Sequence, residues 1–429
     1  MRKQRRRLLI AGCGAAMLGA CDLSLEQGLS NPCRAPLPEA LAHHEIVLEA
    51  WYGIDPARLW DCHAHLVGNG DSGSGVWLNP QMSSIAHPLQ FAQRLFYLNA
   101  GCAHNAKGRV DQSYVERMLN LIDGMPRGVK LMLLAFDRHH GAEGGAVPEH
   151  TSFHVPNEYA MATARRYPRH FEWVASIHPY RRDSVETLRT AAANGARAVK
   201  WLPAAMGIDP SSPRCDAFYA ELKRLDLPLI THGGMERAVR VGDRQHLGNP
   251  LLLRRPLEHG VRVVVAHCAT IGEDRDLDRG AGGPHVESFS LFARLMDDPR
   301  YGITLFGDLS AITQTNRAGP ALLRLIERDH WHSRLVNGSD YPLPGIMPLY
   351  SMSRLVQLGV IDSETAAVLA AIREHNPLLF DFVLKRRLRT GKKSFSRSVF
   401  ETRPFFEAKR TSMRVPRAES PHPESFRLT

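Results

Sequence analysis

The chain has 429 residues and a formal charge of +10, but that charge is segregated: residues 385–429 carry 13 Lys and Arg against 4 acids, residues 1–20 carry five basic residues and no acid, and about −4 remains for 21–384. The bulk of the protein is therefore mildly acidic, and with no recognition motif beside the basic ends there is no case for nucleic-acid binding; the basic end reads as a solvated or membrane-surface segment. The longest apolar stretch near the start, Leu8 to Ala20, has thirteen residues, too few to span a bilayer.

Residues 1–20 have the layout of a secretory signal: a basic start (Arg2, Lys3, Arg5, Arg6, Arg7), the apolar stretch, then Leu18-Gly19-Ala20-Cys21. This is similar to a bacterial lipoprotein signal, which implies cleavage before Cys21, lipidation of its thiol and a place on the periplasmic side of the cell envelope. Ile10-Ala11-Gly12-Cys13 also fits the consensus, and Arg5-Arg6-Arg7 resembles a twin-arginine export motif, departing from it at Gln4 and Leu8. The alternative is an uncleaved basic start. Residues 21–50 read as a tether, 51–388 as one catalytic domain, and 389–429 as a basic, disordered tail.

Within the domain, short apolar runs alternate with helical patterns, which argues for a parallel sheet. One run, Leu59-Trp60, leads into Asp61-Cys62-His63-Ala64-His65 as strand 1. The segment 66–110, with Gly68-Asn69-Gly70 and Gly73-Ser74-Gly75, is a long loop expected to cover the mouth of the site. A helix carries Tyr114, Val115, Met118, Leu119 and Ile122 after a cap at Asp111 or Ser113. Strands 2, 3 and 7 fall at 129–136, 171–177 and 303–306, and a helix over 185–193 stops at Asn194-Gly195. Four further runs end at Lys200, His232, His267 and Asn337-Gly338-Ser339-Asp340.

The spacing of these ends selects the fold. One strand-plus-helix unit of a (β/α)8 TIM barrel averages roughly 31 residues, and its catalytic groups project from the C-terminal strand ends. Lys200, His232, His267 and Asp340 are separated by 32, 35 and 73 residues, hence strands 4, 5, 6 and 8. An open doubly wound sheet would call for a glycine-rich phosphate loop after strand 1, and none is present.

His63 and His65, two apart on a strand, point the same way and can share one cation. His330-Trp331-His332 repeats the spacing but precedes a strand, so it is a decoy; His43-His44 and His139-His140 are adjacent pairs that a strand would turn to opposite sides. Besides Cys13 and Cys21, five cysteines remain (Cys33, Cys62, Cys102, Cys215, Cys268), an odd number without zinc-type pairing. The period of two turns Cys62 and Cys268 away from the barrel axis. Asp61 faces the same side as His63, as a partner behind the site or a cap on the strand.

This ordered set, with Val155-Pro156-Asn157-Glu158, Tyr167-Pro168, His232-Gly233 and Gly338-Ser339-Asp340-Tyr341-Pro342, resembles the amidohydrolase superfamily, in particular its amidohydrolase-related branch, over roughly residues 55–385. The resemblance implies that His63, His65 and Asp340 bind a buried metal, and that a carboxylated Lys200 bridges to a second one held by His232 and His267. In a single-metal form, His63, His65, His232 and Asp340 would hold the ion and His267 would act on the substrate. Lys200 decides between one metal and two.

Imidazoles with one or two anionic oxygens suit a divalent ion, zinc first, that lowers a water's pKa toward about 7. Asp340 is then placed to take the proton of that water, and His267 to polarise the carbonyl under attack. The expected activity is hydrolysis of an amide, ester or lactone in a small-molecule substrate. The alternatives are nonoxidative decarboxylation of a small unsaturated or aromatic acid, which such enzymes often combine with Glu-x-His rather than His63-Ala64-His65, and a non-catalytic, ligand- or metal-binding envelope lipoprotein. Arg138 and Trp201, from the loops after strands 2 and 4, are candidates to contact the substrate, alongside Asp137, His139, His140, His178, Tyr180, Glu236 and Arg237.

Overall fold

The computed structural model describes residues 28–407. The expectations for the signal segment, for lipidation at Cys21 and for the last part of the tail lie outside these residues. Eight parallel strands run in chain order: β1 (Trp60–His65), β2 (Lys130–Leu134), β3 (Phe171–Val174), β4 (Val199–Trp201), β5 (Leu229–His232), β6 (Val263–Ala266), β7 (Leu305–Asp308) and β8 (Leu335–Val336). The first three form one sheet and the other five a second. Single parallel bridges, Ala175 with Val199 and Ala64 with Tyr341, join the sheets at both seams. The result is a TIM barrel.

Each strand is followed by a helix that packs on the outside, including Val110–Asp123, Asn157–Arg166, Ser184–Ala193, Asp216–Arg224 and Ser288–Asp297. No helix among the described residues is long and apolar enough to cross a membrane. Trp60, Cys62, Met132, Leu134, Val174, Ala198, Ile230, Val264 and Val336 form a small apolar cluster inside the barrel, separate from the large core between strands and helices.

The strand period fails at one place. Along β1 and β2, Asp61 pairs with Leu131 and Ala64 with Leu133, so Cys62 and His63 together face the single residue Met132. This bulge puts Trp60 and Cys62 inside the barrel and still sends His63 and His65 inward above them. Cys62 is thus an interior residue, against the expectation that it faces the helices, and Asp61 sits on the opposite side from His63. Cys268 does lie in the outer core.

Four further expectations are corrected. The helix after the long loop begins at Val110, earlier than a cap at Asp111 or Ser113 would set it; the Asp111 carboxylate instead accepts from the backbone of Asn69 and Gly70 and from the Ser74 hydroxyl, clamping the start of the long loop. Residues 28–50 are not a free tether. Cys33 is disulfide-bonded to Cys102, Asn31 donates to the Gly345 carbonyl at 3.1 Å, and the helix Glu45–Trp51 stacks Trp51 on Phe382 with ring centroids 4.1 Å apart. Strand 7 lies at 305–308, because Ile303 is 82% exposed and cannot begin a buried strand. Finally, residues 390–407 are folded. Thr402 bonds to both backbone groups of Trp60, the Phe405 carbonyl accepts from Arg262 at 2.8 Å, and Phe406 closes the bottom of the interior cluster. A basic composition suggests solvation, but three phenylalanines at 400, 405 and 406 supply the apolar surface that holds this part down.

Candidate metal centre

The loop after β8 folds back across the end of β1. Cys62 donates its N–H to the Asn337 carbonyl at 3.1 Å, Asp340 to that of His63 at 2.8 Å, and His65 to that of Tyr341 at 2.8 Å. Asp61 seals the seam from behind, its Oδ1 accepting the N–H of His63 at 3.1 Å and of Ser339 at 2.8 Å. Of its two readings, the backbone cap is the one seen. Burial pushes its carboxyl up to about 6. Gly338 is required by this close approach, since a Cβ there would lie 2.6 Å from that of His63.

The Asp340 carboxylate consequently stands among three imidazoles. Its Oδ1 is 3.1 Å from His65 Nε2 and 3.5 Å from His63 Nε2, and its Oδ2 is 3.8 Å from His267 Nε2. His63, His267 and Asp340 each offer a ligand atom within 4.8 Å of the others. Asp340 and His267 have positive φ, 61° and 56°, a sparsely populated region for such residues that commonly marks functional positions.

The tautomers suit an ion. His63 Nδ1 is 2.6 Å from Asp308 Oδ2, and His267 Nδ1 is 3.0 Å from the Ser310 carbonyl and 2.8 Å from its hydroxyl. Each Nδ1 therefore carries the proton, which leaves both Nε2 lone pairs facing Asp340, as a metal ligand requires. Burial holds His63, His232 and His267 well below the usual histidine range and so keeps them neutral. For Asp340, burial acts upward, but the hydrogen bond with His65 and the nearby positive charge, that of Lys200 included, overcome it and hold the carboxyl below its ordinary value. The donor set fits a divalent metal: neutral nitrogens, one anionic oxygen, and a carboxylate behind the first histidine.

Lys200 and His232 stand beside this group. Lys200 Nζ is 3.2 Å from His63 Nε2 and fully buried, and burial lowers its pKa. His232 has its ring centroid 5.3 Å from that of His267, yet its Nε2 faces Glu236 Oε2 at 3.3 Å. Of the two proposed pocket residues, Trp201 is elsewhere. Trp201 is 0% exposed, donates to the Ile177 carbonyl at 2.8 Å and packs on Phe218 and Tyr219, a core residue under the helices. It follows Lys200 directly, and adjacent strand residues face opposite ways. Arg138 stacks over Trp77 at 5.0 Å. His330 and His332 lie in a 3-10 turn, where His332 bonds to the Leu325 carbonyl at 3.1 Å.

Sequence reasoning missed Asp308 and Ser310. Asp308 stands 32 residues before Asp340, one barrel unit, at the end of the run Leu305-Phe306-Gly307; extending the ruler to strand 7 would have found it. The segment 66–110 does cover part of the mouth: its helix Pro88–Ala100 reaches the loop after β5, with Tyr97 donating to the Ala238 carbonyl at 2.6 Å and Gln93 to that of Arg237 at 3.3 Å.

Fold and site together define a TIM-barrel enzyme built to use a divalent metal. The amidohydrolase family model matches residues 60–379, and the chain belongs to that family. No curated protein matches it. Similar solved structures include an uncharacterised TIM-barrel protein of Bordetella bronchiseptica (15% identity over 71% of this chain and 91% of that one, TM-score 0.45). Others are a putative 2-pyrone-4,6-dicarboxylic acid hydrolase of Pseudomonas putida (16%, 66% and 82%, 0.38) and the 5-carboxyvanillate decarboxylase of Sphingomonas paucimobilis (13%, 74% and 97%, 0.42).

Proposed function

We propose that the protein is a zinc-type metal-dependent hydrolase of an amide, ester or lactone in a small substrate. The observation that carries this reading is the anionic Asp340 carboxylate set against His63, His65 and His267 at the barrel mouth. A bound divalent ion supplies the positive charge that acidifies a water and polarises a carbonyl. Asp340 accepts the water's proton on a carboxylate oxygen and returns it to the leaving group. Asp308 and Ser310 hold His63 and His267 in the tautomer that leaves Nε2 bare, and Asp61 keeps β1 and the loop after β8 in register.

The test is metal analysis coupled to a panel of lactones, esters, amides and aromatic carboxylic acids. Asp340→Asn is expected to lower kcat by roughly 10²–10⁴, with thermal stability little changed because the carboxamide keeps the shape. Turnover surviving that substitution overturns the proton-transfer role, and carbon dioxide release from an aromatic acid without ester, lactone or amide cleavage replaces hydrolysis by decarboxylation. Carboxylation of Lys200 predicts two metals per chain and loss of one in Lys200→Ala; a single metal, unaffected, selects the mononuclear form.

We also propose that the barrel works outside the cytoplasm on a lipid anchor at Cys21. The Cys33–Cys102 disulfide supports this, since disulfides persist in oxidising compartments. Fractionation of wild type and Cys21→Ser tests it: identical soluble cytoplasmic behaviour of the two, each starting at Met1, would refute the anchor.

A further inference from the structure

Arg317 lies on the loop after β7 and is 8% exposed. Its Nη1 donates to Thr270 Oγ1 at 3.0 Å, its Nε has no hydrogen-bond partner, and among the described residues it forms no ion pair. The other two deeply buried arginines are differently placed: Arg373, at 0% exposure, donates to the carbonyls of Pro344, Ile346, Met347 and Tyr350. Arg117, whose Nε also lacks a partner, donates with both terminal nitrogens to the carbonyls of Arg34 and His375, whereas Arg317 reaches only one hydroxyl. A buried guanidinium with an open edge is costly unless an anion arrives to meet it.

The charge of Arg317 bears on the metal-facing residues. Among charged groups it acts most strongly on both His232 and His267, and the strongest attractions on it come from Asp340 and then Glu236. None of these acids closes on it. The planar edge running from Nε to the second terminal nitrogen matches a carboxylate in bidentate geometry, a match that an ammonium cannot make. Lys200, the other buried cation of the site, is already engaged with His63.

We infer that Arg317 is a specificity residue that anchors a carboxylate of the substrate, so that this site takes small carbonyl compounds bearing a carboxylic acid. The inference rests on the hydrolase reading for the reaction but not for the anchor itself. Its test is calorimetric titration of benzoate and glutarate, with the neutral isosteres benzamide and glutaramide, into metal-loaded and chelator-stripped protein. The carboxylates are expected to bind in both forms, at least tenfold more tightly than the amides. Arg317→Gln should abolish that preference and Arg317→Lys weaken it several-fold, while Thr270→Val, which removes the partner of Nη1 but not the open edge, should leave it in place.

Equal binding of carboxylate and amide by the wild type overturns the inference, whatever the variants do. Undiminished carboxylate affinity in Arg317→Gln, binding that vanishes with the metal, or inorganic phosphate binding more tightly than any carboxylate also overturns it. Arg317-dependent carboxylate binding without turnover of any ester, lactone or amide would remove the hydrolase reading and leave the anchor; turnover of neutral substrates with unchanged KM in Arg317→Gln would do the reverse.

Discussion

The two ends of the barrel interior are made by the same strands and are chemically opposite. At the bottom, Trp60, Cys62, Met132, Ile230 and Val264 meet Phe406 in an apolar cluster. At the mouth, one bulge and one strand step further on, His63, His65, Lys200, His232 and Asp308 point inward. The side chains of the bottom are held mainly by burial, with hydrogen bonds there going to the backbone of Trp60 and Phe405, so its apolar parts can be exchanged for others of similar volume. The mouth is held by paired polar groups with little apolar support, where each partner fixes the tautomer or charge of another. Stability is therefore concentrated at one end and chemistry at the other, and the seam between β1 and β8 connects them.

The largest expected effect lies at the mouth. His63→Ala combined with His65→Ala should abolish divalent metal binding, measured by metal analysis of the purified protein, while the thermal transition stays cooperative. Retention of metal at wild-type stoichiometry would break the separation of roles. At the bottom, Phe406→Ala should cost about 3–5 kcal/mol of stability, as truncation of a buried phenylalanine does, with metal content and activity per folded molecule unchanged; a denaturant titration and a metal assay decide.

A smaller effect is expected behind the metal-facing residues. Asp308→Asn replaces the anionic acceptor that holds His63 by a neutral amide and should weaken metal affinity about 10- to 100-fold, read by competition with a chelator, without much change in unfolding midpoint of the metal-free protein. The smallest effect concerns the connection between the two ends. Lys385, 0% exposed, donates at 2.6 Å both to the Gly338 carbonyl, beside Asp340, and to Asp381. Burial pushes Asp381 up to about 7 from an ordinary 3.8. The folded state thus binds this proton more tightly than the unfolded one, so the group favours folding below its ordinary range, and that contribution is lost as pH rises from about 4 through 7. In Asp381→Asn the fall in stability over that window should flatten; an unchanged slope would show that Asp381 does not take up the proton.

How much of this was legible beforehand can be judged residue by residue. His63, His65, His232, His267 and Asp340 were visible because each ends an apolar run, and a repeated strand-plus-helix unit imposes a nearly constant spacing on such ends. Lys200 was visible for the same reason. Strand 7 was misplaced toward Ile303, and Asp308 was lost with it. The substrate candidate Trp201 was chosen by position after a strand, which does not say which way a side chain points.

By itself, then, the sequence determined the barrel, the order of its strands and the residue types gathered at one end, because those follow from local periodicity and a fixed repeat length. Only the tertiary structure decided the rest. The bulge at Cys62–His63 depends on the register against β2. The Cys33–Cys102 bond spans 69 residues. The folding of residues 390–407 depends on Trp60 and Thr402, far apart in the chain. Whether the edge of the buried Arg317 is paired depends on which acids fail to reach it. Each is set by groups from distant segments meeting in space, and pattern along the chain carries no record of such meetings.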